Sequence, residues 1–198
     1  MPRTALVVSC AALLCGSCGG GGAAPSQSLV GAHSVPGESD LASESFYIVR
    51  GGGSGGGHSL IYDWRRNGLL IVEHAFSDGR GSGETKGRES LQVSAEAGAQ
   101  ARRLLARVHP ARLEGVQQDA RPMGCERRGS HDEGEITIAF MRARGRPGMA
   151  DDEIGLFALP YPQSCATPAA VEAGKVVRAI LQLLPRSAVA AGYDRSSE

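Results

Sequence analysis

Three short apolar runs separated by glycine-containing turns occupy residues 46–75. They are FYIVR at 46–50, HSLIYDW at 58–64 and LLIVEHA at 69–75, and each has the length of a strand. Asn67-Gly68, between the second and third runs, is typical of a tight hairpin turn because both residues tolerate positive φ. The pattern predicts antiparallel strands joined in sequence. The third run is apolar on both faces at 69–72, which favours a central place in the sheet.

The second half of the chain predicts two helices and two more strands. Ser94 is a suitable N-cap for a helix whose apolar residues recur at helical spacing, and Thr167-Pro168 predicts the start of another helix. Residues 135–142 and 154–159 predict a hairpin, whereas the glycine-rich, charged stretch 77–90 predicts an exposed loop. We therefore expect an α+β domain: an antiparallel sheet of about five strands with two helices packed on one face, in the order β-β-β-α-β-β-α.

The N-terminus has the features of an export signal. Arg3 precedes an apolar run at 4–14, which is too short to span a bilayer. Small residues follow, and Gly16-Ser17 stand before Cys18, which resembles the signal of a bacterial lipoprotein. Cys18 is the expected lipidation site and Cys15 the alternative; cleavage near Ala23-Ala24 without a lipid is a further possibility. The protein is then exported, anchored in an envelope membrane, with its domain in the periplasm or at the cell surface.

The cysteine count fits an exported protein. If two of the five cysteines leave with the signal and Cys18 carries the lipid, Cys125 and Cys165 remain. An even remainder in an oxidising compartment predicts one disulfide, although two buried thiols are the alternative. Cys125 precedes one strand of the predicted hairpin and Cys165 follows the other, so antiparallel pairing brings them to the same end of the sheet.

Composition divides the chain into four parts. We expect a lipoprotein signal peptide at 1–17, a flexible tether at 18–43, a single α+β domain at 44–186 and a disordered tail at 187–198. The tether is predicted from its glycine, alanine, serine and proline, which bury too little surface to offset their ordering entropy. A formal net charge of zero argues against general nucleic-acid binding.

Short motifs predict no catalytic site. Gly52, Ser54 and Gly56 match the G-x-S-x-G elbow, but the elbow needs a helix after it, and a strand is expected here. Two clusters of metal-ligand residue types flank the predicted hairpin, so together they form a weak candidate site for a hard cation such as Ca²⁺. Their members are His131, Asp132, Glu133, Asp151, Asp152 and Glu153. Solvated loop carboxylates are the simpler interpretation, and we expect no cofactor. Arg102, Arg103 and Arg107 form a basic stripe that suits an acidic partner or a solvated helix face.

The order of elements resembles a known family. With FYIVRGGGSGGG, RRNGLLIVE and AVEAGKVVRAILQLL, the stretch 45–184 resembles emfourin-type inhibitors of bacterial metalloproteases, and it is similar to small lipoprotein domains of unknown function. The first resemblance implies protease inhibition through an exposed loop, and the second implies no named activity. The leading expectation is a non-enzymatic binding or envelope-associated role, with metalloprotease inhibition and an enzyme of unidentified class as alternatives.

Overall fold

Six antiparallel strands form one sheet in the order β4-β3-β2-β1-β5-β6. The computed structural model describes residues 28–29, 35–51, 56–80, 82–111, 113, 134–142, 153–160 and 165–196. Within them the strands are β1 Glu44–Gly51, β2 Gly57–Trp64, β3 Leu69–Ser77, β4 Gly83–Gln92, β5 Gly134–Arg142 and β6 Glu153–Pro160. The helices are α1 Glu38–Leu41, α2 Ala95–Arg107, α3 Pro168–Leu183 and α4 Ala188–Ser196. The predicted α+β class is confirmed, with six strands where about five were expected.

The core lies between one face of the sheet and the helices. Strand pairing puts Phe46 opposite both Trp64 and Phe140, and Ile48 opposite Ile138, so these side chains share a face. They are at most 1% exposed and belong to one cluster with the apolar faces of α2 and α3. Alternation of apolar and polar residues along the strands therefore explains which face is covered.

Local capping signals place the two main helices. The Ser94 hydroxyl accepts a hydrogen bond from the Ala97 amide at 3.2 Å, and the Thr167 hydroxyl accepts one from the Ala170 amide at 3.2 Å. Pro168 occupies the first turn of α3, where its missing amide hydrogen costs nothing. Both predicted helix starts are confirmed. None of the helices in the described part of the chain is long and apolar enough to cross a membrane.

The structure corrects the prediction for stretch 77–90, which was expected to be an exposed loop. Most of it forms β4, an edge strand paired with β3 through a register shift at His74/Ala75. The strand is largely exposed and rich in charge and glycine, which removes the alternation by which a strand is normally predicted. Because β4 covers the outer edge of β3, β3 is second from the edge of the sheet. Leu70 and Val72 are buried on the core face and Ile71 is buried on the opposite face, but the middle of the sheet is β2 and β1.

Both expected flanking segments differ from the structure. Within the expected tether, the Leu29 amide donates to the Arg107 carbonyl at 2.8 Å, and Leu41 of α1 is fully buried. Within the expected tail, α4 packs on the sheet and buries Tyr193 to 8% exposure. The domain therefore extends beyond 44–186 on both sides, because a few large side chains anchor otherwise polar, small-residue segments.

Candidate binding pocket beside Trp64

Most of the residues singled out in the sequence lie outside the described part of the chain; they are Cys18, Ser54, Cys125, His131, Asp132, Glu133, Asp151 and Asp152. The strand β2 follows the segment that contains Ser54, so a hairpin partner stands where an elbow needs a helix. Cys165 is 9% exposed, and its Sγ lies 3.8 Å from Thr167 Oγ1. Its pairing with Cys125 stays a prediction.

Glu153 lies in a charged cluster at one end of the sheet. Its carboxylate is 3.7 Å from Arg142 Nη1, while Arg142 Nη2 donates to Glu44 Oε1 at 2.6 Å. Glu44 is fully buried, and His109 Nε2 lies 3.2 Å from its other oxygen. Among the described residues, no group of three or more His, Cys, Asp or Glu side chains is placed to hold a metal ion. Glu153 therefore serves as an ion-pair partner that helps to bind β1, β5 and β6 together.

His109 links the end of α2 to this cluster. Its Nδ1 lies 2.7 Å from the Pro110 carbonyl, an oxygen that can only accept, so Nδ1 donates to it. Nε2 faces the Glu44 carboxylate at 3.2 Å. The arrangement joins the end of α2 to β1 through buried polar groups.

A pair of histidines lies near the start of β2, at the end of the strand far from Trp64. His58 Nδ1 and His74 Nε2 are 2.8 Å apart, and the His74 ring packs edge-on against Tyr193 of α4 at 5.3 Å. The pKa of His74 is lowered by burial first, then by His58 and Lys86. A neutral imidazole suits this place, where two rings share a hydrogen bond beneath a helix. The pair connects β2, β3 and α4.

A partly open cavity of about 250 Å³ lies where the β2–β3 turn meets the start of α2. We call it the indole pocket. Its walls come from the end of β2, the Asn67-Gly68 turn, the β4–α2 connection and the first turn of α2; the described lining residues are Trp64, Arg66, Asn67, Gly68, Gln92, Val93, Ser94, Ala95, Gly98 and Arg102. Two of these side chains are arginines and none is acidic. The pocket is therefore lined by hydrogen-bond donors and positive charge.

Backbone and amide contacts hold the walls in place. Gly68 has φ +83, a backbone conformation that favours glycine, and a Cβ there would displace the end of the Gln92 side chain. Gln92 Nε2 donates to the Asn67 carbonyl at 3.2 Å, and the Val93 amide donates to the Gly68 carbonyl at 3.0 Å. These bonds tie the hairpin turn to the segment that leads into α2. The pocket is thus formed before any ligand arrives.

Trp64 supplies an unsatisfied donor to this region. The side chain is 1% exposed, and its Nε1 has no hydrogen-bond partner among the described residues. An indole nitrogen can only donate, and a buried donor without an acceptor costs about 1–3 kcal/mol. The ring edge that carries Nε1 faces α2, since Cζ2 would lie 3.4 Å from a Cβ at Gly98.

Arg102 lies over the indole ring. Its guanidinium carbon is 4.8 Å from the Trp64 ring centroid, within the range of a cation–π contact. Gly98 makes this approach possible, because a Cβ there would be 3.3 Å from Arg102 Nη1. Arg107, farther along the helix, pairs with Glu172 of α3 at 3.3 Å. Neither arginine is a freely solvated side chain on an open helix face, so that interpretation of the basic stripe is too simple.

Comparisons of the chain with protein-family profiles, curated proteins and solved structures each find no match. The site therefore has to be interpreted from its own geometry.

Sequence reasoning missed the indole pocket. It found the Asn67-Gly68 turn and the Ser94 cap but did not bring them together, because their contact depends on β4, which was expected to be a loop. One signal was present: Trp64 is the chain's single tryptophan and stands at a strand end. A buried indole N–H usually has a hydrogen-bond acceptor nearby, so a tryptophan at this position predicts polar groups around it.

Proposed function

We propose that the chain is an exported lipoprotein, anchored to an envelope membrane through Cys18, whose α+β domain acts by binding rather than by catalysis. The apolar run at 4–14 and Gly16-Ser17 before Cys18 support the anchor. Leu29 already contacts α2, so residues 19–27 join the anchor to the domain. Nine residues span at most roughly 30 Å when fully extended. The domain is therefore held close to the membrane surface.

The indole pocket carries the proposal of a binding role. It is concave and preformed by backbone contacts, and the Trp64 side chain forms part of its wall. Sites for small ligands combine an apolar wall with a few placed polar groups. The Trp64 ring provides the apolar wall, while Asn67, Gln92 and the arginines provide the polar groups.

Membrane anchoring is tested by fractionation of cells that express the chain. Cys18→Ala should move the protein from the membrane fraction to the soluble fraction, because it removes the only proposed attachment point. Cys15→Ala is the matched control and should leave the protein in the membrane fraction. Membrane retention of Cys18→Ala, or release of Cys15→Ala, would show that the anchor is assigned wrongly.

Ligand binding is tested by the fluorescence of Trp64, which the single tryptophan makes specific to the pocket. The full chain is titrated with fractionated small-molecule extract from its own envelope. We expect one or more fractions to change the emission and to saturate. Extracts that leave the emission unchanged at every concentration would remove the indole pocket as a ligand site.

We also propose a disulfide between Cys125 and Cys165. The buried place of Cys165 directly before α3 supports this, since a bridge there would fix the segment that joins β6 to α3. A loop of about 40 residues closed in this way stabilises by about 4 kcal/mol on the chain-entropy model. Non-reducing peptide mass mapping of the exported protein should recover the two cysteines in one linked peptide pair. Recovery of both as free thiols would exclude the bridge.

Metalloprotease inhibition is the second candidate function, and the β3–β4 hairpin favours it. Asp78 Oδ1 accepts from the Arg80 and Ser82 amides at 2.8 and 3.1 Å, so the exposed tip is braced internally. A braced, exposed loop suits insertion into a protease cleft because little ordering entropy is lost on binding. The full chain should then slow a thermolysin-type protease at micromolar concentration, and Asp78→Ala should weaken the effect. An unslowed protease would remove this candidate.

A further inference from the structure

We propose that the exposed side of the α2–α3 helix pair binds the anionic lipid surface of the membrane to which the protein is anchored. The inference rests on the proposed lipid anchor and adds which side of the domain faces the lipid. We call this side the basic face. Its exposed basic residues are Arg103 on α2, Lys175 and Arg178 on α3, and Arg186 just after α3.

Basic side chains outnumber acidic ones on these two helices. α2 and α3 contain five basic residues and two acidic residues, whereas the whole chain has a formal net charge of zero. One of the acidic residues, Glu172, already pairs with Arg107 and Lys175 at 3.3 and 3.5 Å. Among the described residues, Arg178 and Arg186 form no ion pair. The helical side of the domain therefore carries a net positive charge.

The exposed stripe of α3 also contains an apolar side chain. Val171, Lys175 and Arg178 are exposed and follow one another at four and three residues, so they share one side of the helix. Val171 is 46% exposed, more than any other large apolar side chain in the part of the chain that the structure describes. An apolar residue beside basic ones is typical of helices that lie in a membrane interface.

The tether reaches the domain beside this stripe. The Leu29 amide donates to the Arg107 carbonyl at 2.8 Å, at the end of α2. The side chain of Arg107 pairs with Glu172, which also contacts Lys175. The tether, the end of α2 and the start of α3 therefore meet on the helical side. Because residues 19–27 span at most roughly 30 Å, the anchor holds this side near the membrane.

The outer face of the sheet, opposite the helices, has balanced charges. Asp63 and Glu73 lie on this face, and each pairs with an arginine: Asp63 with Arg65 at 3.3 Å and Glu73 with Arg88 at 3.9 Å. The attraction of anionic lipid for these arginines is offset by its repulsion of the neighbouring carboxylates. The difference in charge between the two sides of the domain therefore favours the basic face as the one that meets the lipid.

The strength of this contact follows from the number of basic side chains that reach the lipid. Each basic residue near an anionic leaflet strengthens binding by about fivefold, and salt screens the effect. Binding of this kind is reversible, so the lipid anchor still decides whether the protein stays with washed membranes. The basic face decides the orientation of the domain on the membrane.

The test is co-sedimentation of the full chain carrying Cys18→Ala with two kinds of vesicle, one of phosphatidylcholine and one with about one-third phosphatidylglycerol. The readout is the ratio of the two partition coefficients. The apolar run at 4–14 is common to all variants and binds both kinds of vesicle, so the ratio isolates the effect of charge. We expect a ratio of roughly 100 at low salt, falling towards one at about 0.5 M salt. Equal binding to both kinds of vesicle at low salt would overturn the proposal.

Two double variants locate the contact. Lys175→Gln combined with Arg178→Gln should lower the ratio by about tenfold, because two charges are lost from the basic face. Arg65→Gln combined with Arg88→Gln is the matched control: it removes the same charge from the outer face of the sheet and should change the ratio by less than about twofold. Equal losses in the two double variants would show that net charge alone drives binding, and would exclude the basic face.

Glu172→Gln tests the same face with the opposite sign. It removes a negative charge and frees Arg107 and Lys175 from their pairing, so the ratio should rise by about threefold. A loss of folding would not produce this rise, because an unfolded chain exposes apolar residues that bind both kinds of vesicle. A ratio that stays constant or falls would contradict the proposal.

Failure of this inference is distinguishable from failure of the lipid anchor, because the vesicle experiment uses a chain without the lipid. Release of Cys18→Ala from cell membranes, together with no preference for anionic vesicles, would remove the basic face and leave the anchor in place. Retention of Cys18→Ala in cells, together with a preference for anionic vesicles that Lys175→Gln and Arg178→Gln abolish, would support the basic face and remove the anchor.

Discussion

Leu41→Ala tests whether the segment before β1 belongs to the folded domain. Leu41 is fully buried in the main core although it lies in a four-residue helix within the stretch expected to be a tether. Replacement of a buried leucine by alanine loses transfer free energy and leaves a cavity, together about 2–5 kcal/mol. We expect the free energy of unfolding to fall by about 3 kcal/mol here, because the short α1 can close only part of the cavity.

The measurement is urea unfolding followed by the fluorescence of Trp64, with a thermal melt as a second readout. For a domain of this size, a loss of about 3 kcal/mol lowers Tm by roughly 6–12 °C. Val171→Ala is the control, because Val171 is 46% exposed on α3 and should change stability by less than about 0.5 kcal/mol. A loss below about 1 kcal/mol for Leu41→Ala would mean that this segment does not help to hold the domain.

Three further predictions concern α4 and the sheet beneath it. Tyr193→Ala should cost about 3 kcal/mol in urea unfolding, since it empties a buried ring site beside His74; an unchanged midpoint would show that α4 is not docked. Glu89→Gln should speed amide exchange in α4 but not in α2, because Glu89 accepts from the Ser187 hydroxyl at 2.7 Å and from the first amides of α4; equal exchange rates in wild type and variant would contradict this cap. The lowered pKa of His74 means that the unfolded chain takes up its proton first, so stability should fall as pH drops below about 7 until the folded pKa is passed. His74→Gln should flatten that part of the curve, and an unaltered pH profile would exclude His74 as its source.

Where side chains alternate along the chain, the fold follows from local sequence. The runs around Phe46, Leu60 and Ile138 gave the strands, and Ser94 and Thr167 gave the helix starts, because each of these signals acts within a few residues. β4 was not predicted because an exposed edge strand needs no apolar alternation, and its pairing with β3 decides its structure. α4 was not predicted because the carboxylate that caps it comes from Glu89, in another element.

The indole pocket depends on contacts that no local pattern records. Trp64, Gly68 and Gly98 come from three separate segments, and their meeting is fixed by the pairing of β4 with β3. The buried contacts of Glu44 have the same origin, since Arg142 and His109 reach its carboxyl group from distant parts of the chain. Sites of this kind become visible only when the tertiary contacts are known.

The most direct test of the binding role is the ¹H–¹⁵N resonance of the Trp64 indole, the one such signal that the chain can give. A ligand that fills the indole pocket changes the surroundings of the Trp64 ring and should shift this resonance. We predict this shift when an active envelope extract is added to the full chain, and its reversal on dialysis. An indole resonance that stays in place while the ligands are raised to saturating concentration would contradict the account.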